Sequence, residues 1–210
     1  KFFIAGKQAR PDGGTVRPVW NKDGSMAGTV GQGNRKDLRN AVEAAQKANS
    51  WSKSSGHLRA QILFYFAENL SLRRQELETR LQQLLGFKSN EARQEVDSSI
   101  QRCFHYAAWA DKYEGALHQP PQGLLVPVLN EPLGVIGLIC PDENPLLSFL
   151  SILLPSLATG NRSIVIPSPS YPLIANDLIQ VMETSDIPAG AVSLILSLIH
   201  ISEPTRPMNI

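Results

Sequence analysis

An apolar run, Leu133 to Ile139, passes through a short loop, Cys140 to Asn144, into a second apolar stretch, Leu146 to Ala158. The first run reads as a strand covered on both faces. The second is apolar all round, as expected for a buried crossover helix, bent near Pro155. Gly160-Asn161 then turns the chain, and Ser163 to Ile166 is the next buried strand. Pro172 to Glu183 is a helix with proline in its first turn. Ile187-Pro188-Ala189-Gly190 makes another turn, and Ala191 to Leu196 a third strand. Strand, helix, strand, helix, strand dictates right-handed crossovers and a parallel sheet, half of a doubly wound α/β fold.

Ahead of Gly115 the pattern changes. Residues 1–33 mix short apolar pieces with the turns Asp12-Gly13-Gly14, Asp23-Gly24 and Gly31-Gln32-Gly33, and read as short strands. Asn34 with Asp37 marks a helix start, and Leu38, Ala41, Val42, Ala45 and Ala48 follow at helical spacing. Ile62, Phe66 and Leu70 form a second stripe; Leu77, Leu81, Leu84 and Leu85 form a third, ended by Gly86. Ser89 is placed to cap a further helix striped by Ala92, Val96, Ile100, Cys103 and Ala107. Leu124 to Leu129 is a strand whose interior Pro127 suits an edge or a hairpin. These helices also fit a competing architecture, an unrelated helical binding module with a small sheet. The buried alternation after Leu133 weighs against it.

At 210 residues the chain forms one large domain or two small ones, and 42% hydrophobic with 19% charged residues is a globular balance. A net charge of +1 gives no electrostatic reason to bind nucleic acid or an anionic membrane. Cys103 and Cys140 lie far apart in sequence; one disulfide is possible but a disulfide framework is not, and free thiols in a reducing, cytoplasmic setting are expected. No signal-peptide pattern opens the sequence, and the longest apolar stretch falls short of the roughly 20 residues a membrane helix needs. The histidines His57, His105, His118 and His200 show no metal-ligand spacing, and no G-x-S-x-G elbow occurs. Adjacent Asp142 and Glu143 are a conceivable cation site, but such pairs are common at turns.

The segment Glu131-Pro132-Leu133-Gly134-Val135, with Pro141 and Pro145 after it, resembles the aldehyde dehydrogenase superfamily, whose members commonly read E-P-x-G-V and then P-W-N-F-P. Weaker pieces fall in the family's order: Ala41-Val42-Glu43-Ala44-Ala45 before Trp51, Ala107-Ala108-Trp109-Ala110-Asp111-Lys112, Gly160-Asn161, and Ile187-Pro188-Ala189-Gly190. The wording Ile139-Cys140-Pro141-Asp142-Glu143 resembles more particularly the second, degenerate dehydrogenase region of aldehyde dehydrogenase family 16.

This resemblance implies the N-terminal part of the aldehyde dehydrogenase fold: a helical layer and the first half of a doubly wound sheet, truncated. Residues 1–196 would be a partial NAD(P)-binding domain with an oligomerisation arm at about 116–131. Residues 197–210, with two prolines and no periodicity, would be a non-family tail, artefactual or disordered. The edge of the last strand would lie open. Exposed apolar faces would then make the chain poorly soluble alone.

The family reaction is NAD(P)-dependent oxidation of aldehydes to carboxylic acids. It needs a cysteine nucleophile, an oxyanion hole, a general base and a held nicotinamide. The resemblance places Glu143 where the family has its oxyanion-hole Asn, and Asp142 where it has Trp. An ionised carboxylate has no N–H to donate and repels a developing oxyanion. The family's K-P-x-E, which holds the adenine ribose, corresponds to Ile166-Pro167-Ser168-Pro169. Ile166 and Pro169 have no side-chain polar atom for that role. The catalytic Cys and Glu of the family fall beyond Leu196. Cys103 reads as a core thiol, and Cys140 lies where the family places no nucleophile. The expected reading is therefore a pseudoenzyme with no catalytic residue and no cofactor bound by this chain. Its role would be a scaffold or a partner-binding region that meets another aldehyde dehydrogenase-like region or subunit. The alternative is a part of an active NAD(P)-dependent aldehyde dehydrogenase whose catalytic cysteine lies elsewhere.

Overall fold

A computed structural model describes residues 1–113, 115–121 and 123–196. The tail assigned to residues 197–210 lies outside the described residues. The chain opens with a hairpin, β1 (Phe2–Ile4) and β2 (Lys7–Ala9), turned by Ala5 and Gly6 at φ 54° and 71°. Positive φ at both positions matches the right-handed twist of the strands. Any Cβ on Gly6 would sit 2.8 Å from that of Ala189, so glycine is required there for space as well. β3 (Val16–Trp20) and β4 (Met26–Gly31) form a separate antiparallel ribbon.

Helix α1 (Arg35–Lys47) begins with a capping box. Asn34 Oδ1 accepts from the Asp37 amide at 3.1 Å, and Asp37 Oδ2 accepts from the Asn34 amide at 3.0 Å. The helices α2 (Asn49–Lys53), α3 (Gly56–Leu72), α4 (Arg74–Leu85) and α5 (Ser89–Trp109) follow, and α4 ends at Gly86 with φ 74°. Ser89 is the first helical residue of α5 and not its cap; the Lys88 amide donates instead to the Glu91 carboxylate at 2.8 Å. A small hairpin, β5 (Ala116–His118) and β6 (Val126–Val128), pairs Pro127 with Leu117 and exposes every strand residue.

Then come β7 (Val135–Ile139), α6 (Pro145–Ala158), β8 (Arg162–Ile166), α7 (Pro172–Glu183) and β9 (Val192–Leu194). Among the described residues the main sheet has five strands in the order β2-β1-β9-β8-β7. β7, β8 and β9 are parallel neighbours, which excludes the helical-module architecture. Helices cover both faces, because successive strand residues point to opposite sides. Ile164 packs with Ala41 of α1, while its neighbour Val165 belongs to the large core shared with α3, α5, α6 and α7.

Two sequence expectations are corrected. β7 is an edge strand and not a strand covered on both faces; Ile139 is 50% exposed and Leu133, just ahead of it, 90%. The apolar run reports what its residues favour, not whether a neighbouring strand is present. The edge of β9 is not open: β1 lies antiparallel against it, with Phe3 opposite Leu194. Phe2 and Phe3 are buried, and the pairing of Phe3 with Leu194 joins distant positions that no local pattern announces.

Candidate functional site

The parallel ladder sets the site. β7 and β8 run side by side with Ile139 opposite Ile166, and the Cys140 amide extends the ladder by donating to the Ile166 carbonyl at 2.9 Å. Both strands therefore release their following loops at one end of the sheet, Cys140–Asn144 and Pro167–Tyr171. Carboxyl ends of parallel strands are where α/β sheets receive ligands.

Three side chains of these loops, Asp142, Ser168 and Ser170, bond one another. The Ser168 hydroxyl donates to Asp142 Oδ1, the Ser170 hydroxyl donates to Oδ2 at 2.8 Å, and the Ser170 amide reaches Oδ1 at 3.4 Å. Ser168 is buried and its oxygen accepts the Tyr171 amide at 3.0 Å, at the entrance to α7. Desolvation pushes the Asp142 carboxyl up, but the bonds from Ser168 and Ser170 outweigh it and hold the group below the usual carboxylate range. From β3, the Arg17 guanidinium donates to the Pro169 carbonyl.

Glu143 is exposed, and its backbone carbonyl accepts from the Ser148 hydroxyl at 2.6 Å. Asn144 sits at φ 43° as the residue before α6, and its side chain caps nothing. The cap comes from another helix. Oε1 of Glu95 on α5 accepts the Leu146 amide at 2.9 Å and the Leu147 amide at 3.3 Å. Glu95 is 5% exposed, and its Oε2 has no hydrogen-bond partner. Burial pushes this carboxyl up, against the pull of the two amides. A cleft of about 400 Å³ adjoins it, lined by Phe87, Glu91, Ser98, Asn144 and Leu147. Glu95 was not singled out in the sequence. Its one legible mark is an acidic residue interrupting the apolar stripe between Ala92 and Ile100.

Both thiols are buried. Cys140 is 3% exposed and burial pushes its thiol up to about 12; Cys103, wholly buried, is pushed up further in the same way. Ile166 is buried at the end of β8, and Pro169 offers only its carbonyl. Among the described residues no group of three or more His, Cys, Asp or Glu is placed to hold a metal ion. The arrangement brings Asp142, Glu143, Ile166 and Pro169 to one end of the sheet.

Comparisons with known proteins fit this architecture. The chain is 30% identical over 205 residues to betaine aldehyde dehydrogenase of Bacillus subtilis (strain 168), covering 93% of this chain and 41% of that protein. It is 29% identical over 199 residues to malonate-semialdehyde dehydrogenase of Bacillus pumilus (strain SAFR-032), again covering 93% and 41%. The chain thus spans well under half the length of these relatives. Among solved structures, betaine aldehyde dehydrogenase from Staphylococcus aureus in complex with NAD+ superposes with a TM-score of 0.90 at 25% identity, over 94% of this chain and 40% of that one. Residues 9–200 match the aldehyde dehydrogenase family as a whole, and the chain belongs to that family.

Proposed function

We propose that this chain is a non-catalytic region of an aldehyde dehydrogenase-like protein, most like the degenerate second region of family 16, and that it acts as a scaffold or partner-binding surface. One observation carries the reading: the hydroxyls of Ser168 and Ser170 after β8 are consumed by Asp142 after β7. Asp142 takes the hydroxyls of Ser168 and Ser170, while Ile166 and Pro169 present no polar side-chain atom. These residues do not fit a nicotinamide dinucleotide, which needs hydrogen bonds to its ribose at the end of the second strand. Glu143 adds a carboxylate where an amide donor is required, and losing one such donor costs roughly 10²–10³ in rate. The α6 amides of Leu146 and Leu147 are already given to Glu95.

Residues 1–196 then serve as a partial domain of dinucleotide-binding type. The β5–β6 arm provides the meeting surface. Leu117 is 67% exposed and Leu129 76%, and the partner is another aldehyde dehydrogenase-like region or subunit. The two buried cysteines are unpaired, as suits a reducing cytoplasm, and no described helix is long and apolar enough to cross a membrane. The test is aldehyde-dependent NADH formation by the complete natural protein, after the catalytic cysteine of any other dehydrogenase region is replaced. No turnover is expected. Sustained turnover would establish the alternative, an active enzyme.

A further inference from the structure

We propose that Asp142 is a built-in gate: it ties the end of β7 to the β8–α7 turn and excludes a dinucleotide from these strand ends independently of the lost ribose anchors. The inference rests on the non-binding reading above and deepens it by assigning the exclusion to a specific residue.

The geometry supports a gate more than a passive surface charge. Asp142 engages both carboxylate oxygens, one on Ser168 and one on Ser170, two residues apart on the neighbouring loop. Ser168 passes the restraint on to α7 by accepting the Tyr171 amide. Arg17 donates to the Pro169 carbonyl between the two serines, so the turn is held from β3 as well as from β7. Any ribose entering between the two strand ends must first break the Asp142 bonds. Charge acts in the same direction. The carboxylate lies close to the amino end of α7, where the helix dipole favours a negative group. A nucleotide diphosphate approaching that end meets a charge of its own sign.

It follows that restoring the ribose anchors alone will not restore binding. The experiment compares I166K/P169E with D142S/I166K/P169E in the complete protein. The readout is NAD-dependent protection of backbone amides in residues 166–171, measured by hydrogen exchange with mass spectrometry. This local readout is blind to any other nucleotide site in the protein. Protection is expected in the triple variant with at least ~10-fold tighter affinity than in the double variant, a difference of about 1.4 kcal/mol. Equal affinity in the two would overturn the gate. Because lysine at buried position 166 threatens folding, D142S alone is the second arm. The gate requires the Ser170 and Tyr171 amides to exchange ~10-fold faster while those of β8 hold. Unchanged exchange at Ser170 and Tyr171 would overturn it equally. NAD protection of residues 166–171 in the unmutated protein is a different outcome. It would remove the non-binding reading itself.

Discussion

The Glu95 carboxylate caps a helix to which it does not belong, accepting the Leu146 amide at 2.9 Å from across the α5–α6 interface. Asn144, the residue in the usual capping position, contributes no side-chain bond. One acidic residue on α5 thus fixes the start of α6 and, through it, the loop that carries Asp142 and Glu143.

Replacing Glu95 by alanine strands one buried and one half-buried helix amide. A loss of about 1–3 kcal/mol is expected from urea denaturation. E95Q keeps an acceptor oxygen and is expected to lose less at neutral pH. Equal losses in the two variants would contradict the capping role.

Glu95 also sets a pH dependence. Its carboxyl is raised in the folded chain, by burial first, so folding favours the protonated form. That contribution is complete below the unfolded value and is lost as pH rises through the folded one. Stability relative to E95Q should therefore fall as pH climbs from the ordinary glutamate range, by at most about 1.4 kcal/mol per pH unit. Parallel stability curves for the two proteins would show that Glu95 titrates normally.

Phe2 tests the closure of β9 by β1. The ring is fully buried and lies 3.4 Å from where a Cβ would stand on Gly31 or Gly33. F2A should cost about 3–5 kcal/mol. It should also speed amide exchange in β9, since Phe3 opposite Leu194 would lose its anchor. A loss under about 1 kcal/mol would mean that the chain start is not part of the core.

The arm makes a prediction of another kind. L117S/L129S alters only exposed residues, so the melting transition should shift by no more than about 0.5 kcal/mol in stability. Association with the partner region or subunit, followed by sedimentation, should weaken by ~10-fold or more, as for removal of an apolar anchor from an interface. Unchanged association would move the interface elsewhere.

Much of the fold was legible in the residues. Asn34 and Asp37 announced the capping box of α1, Gly86 the end of α4, and Pro172 the first turn of α7, because each acts within a turn of its own position. The βαβαβ order followed from apolar runs and their lengths. What stayed hidden joins distant positions. The pairing of Phe3 with Leu194 and the bond from Leu146 to Glu95 are tertiary choices with no local pattern. Glu143, Ile166 and Pro169 stood out because they depart from the pattern of the family the sequence resembles. The clamp of Asp142 by Ser168 and Ser170 was not, since it depends on two loops meeting at the end of the sheet.

The most direct measurement is an NAD titration of the unmutated complete protein, read at the amides of residues 166–171. The account predicts no saturable protection there at any concentration that loads an active aldehyde dehydrogenase. Saturable protection at those amides, with release of the Asp142 clamp, would contradict it.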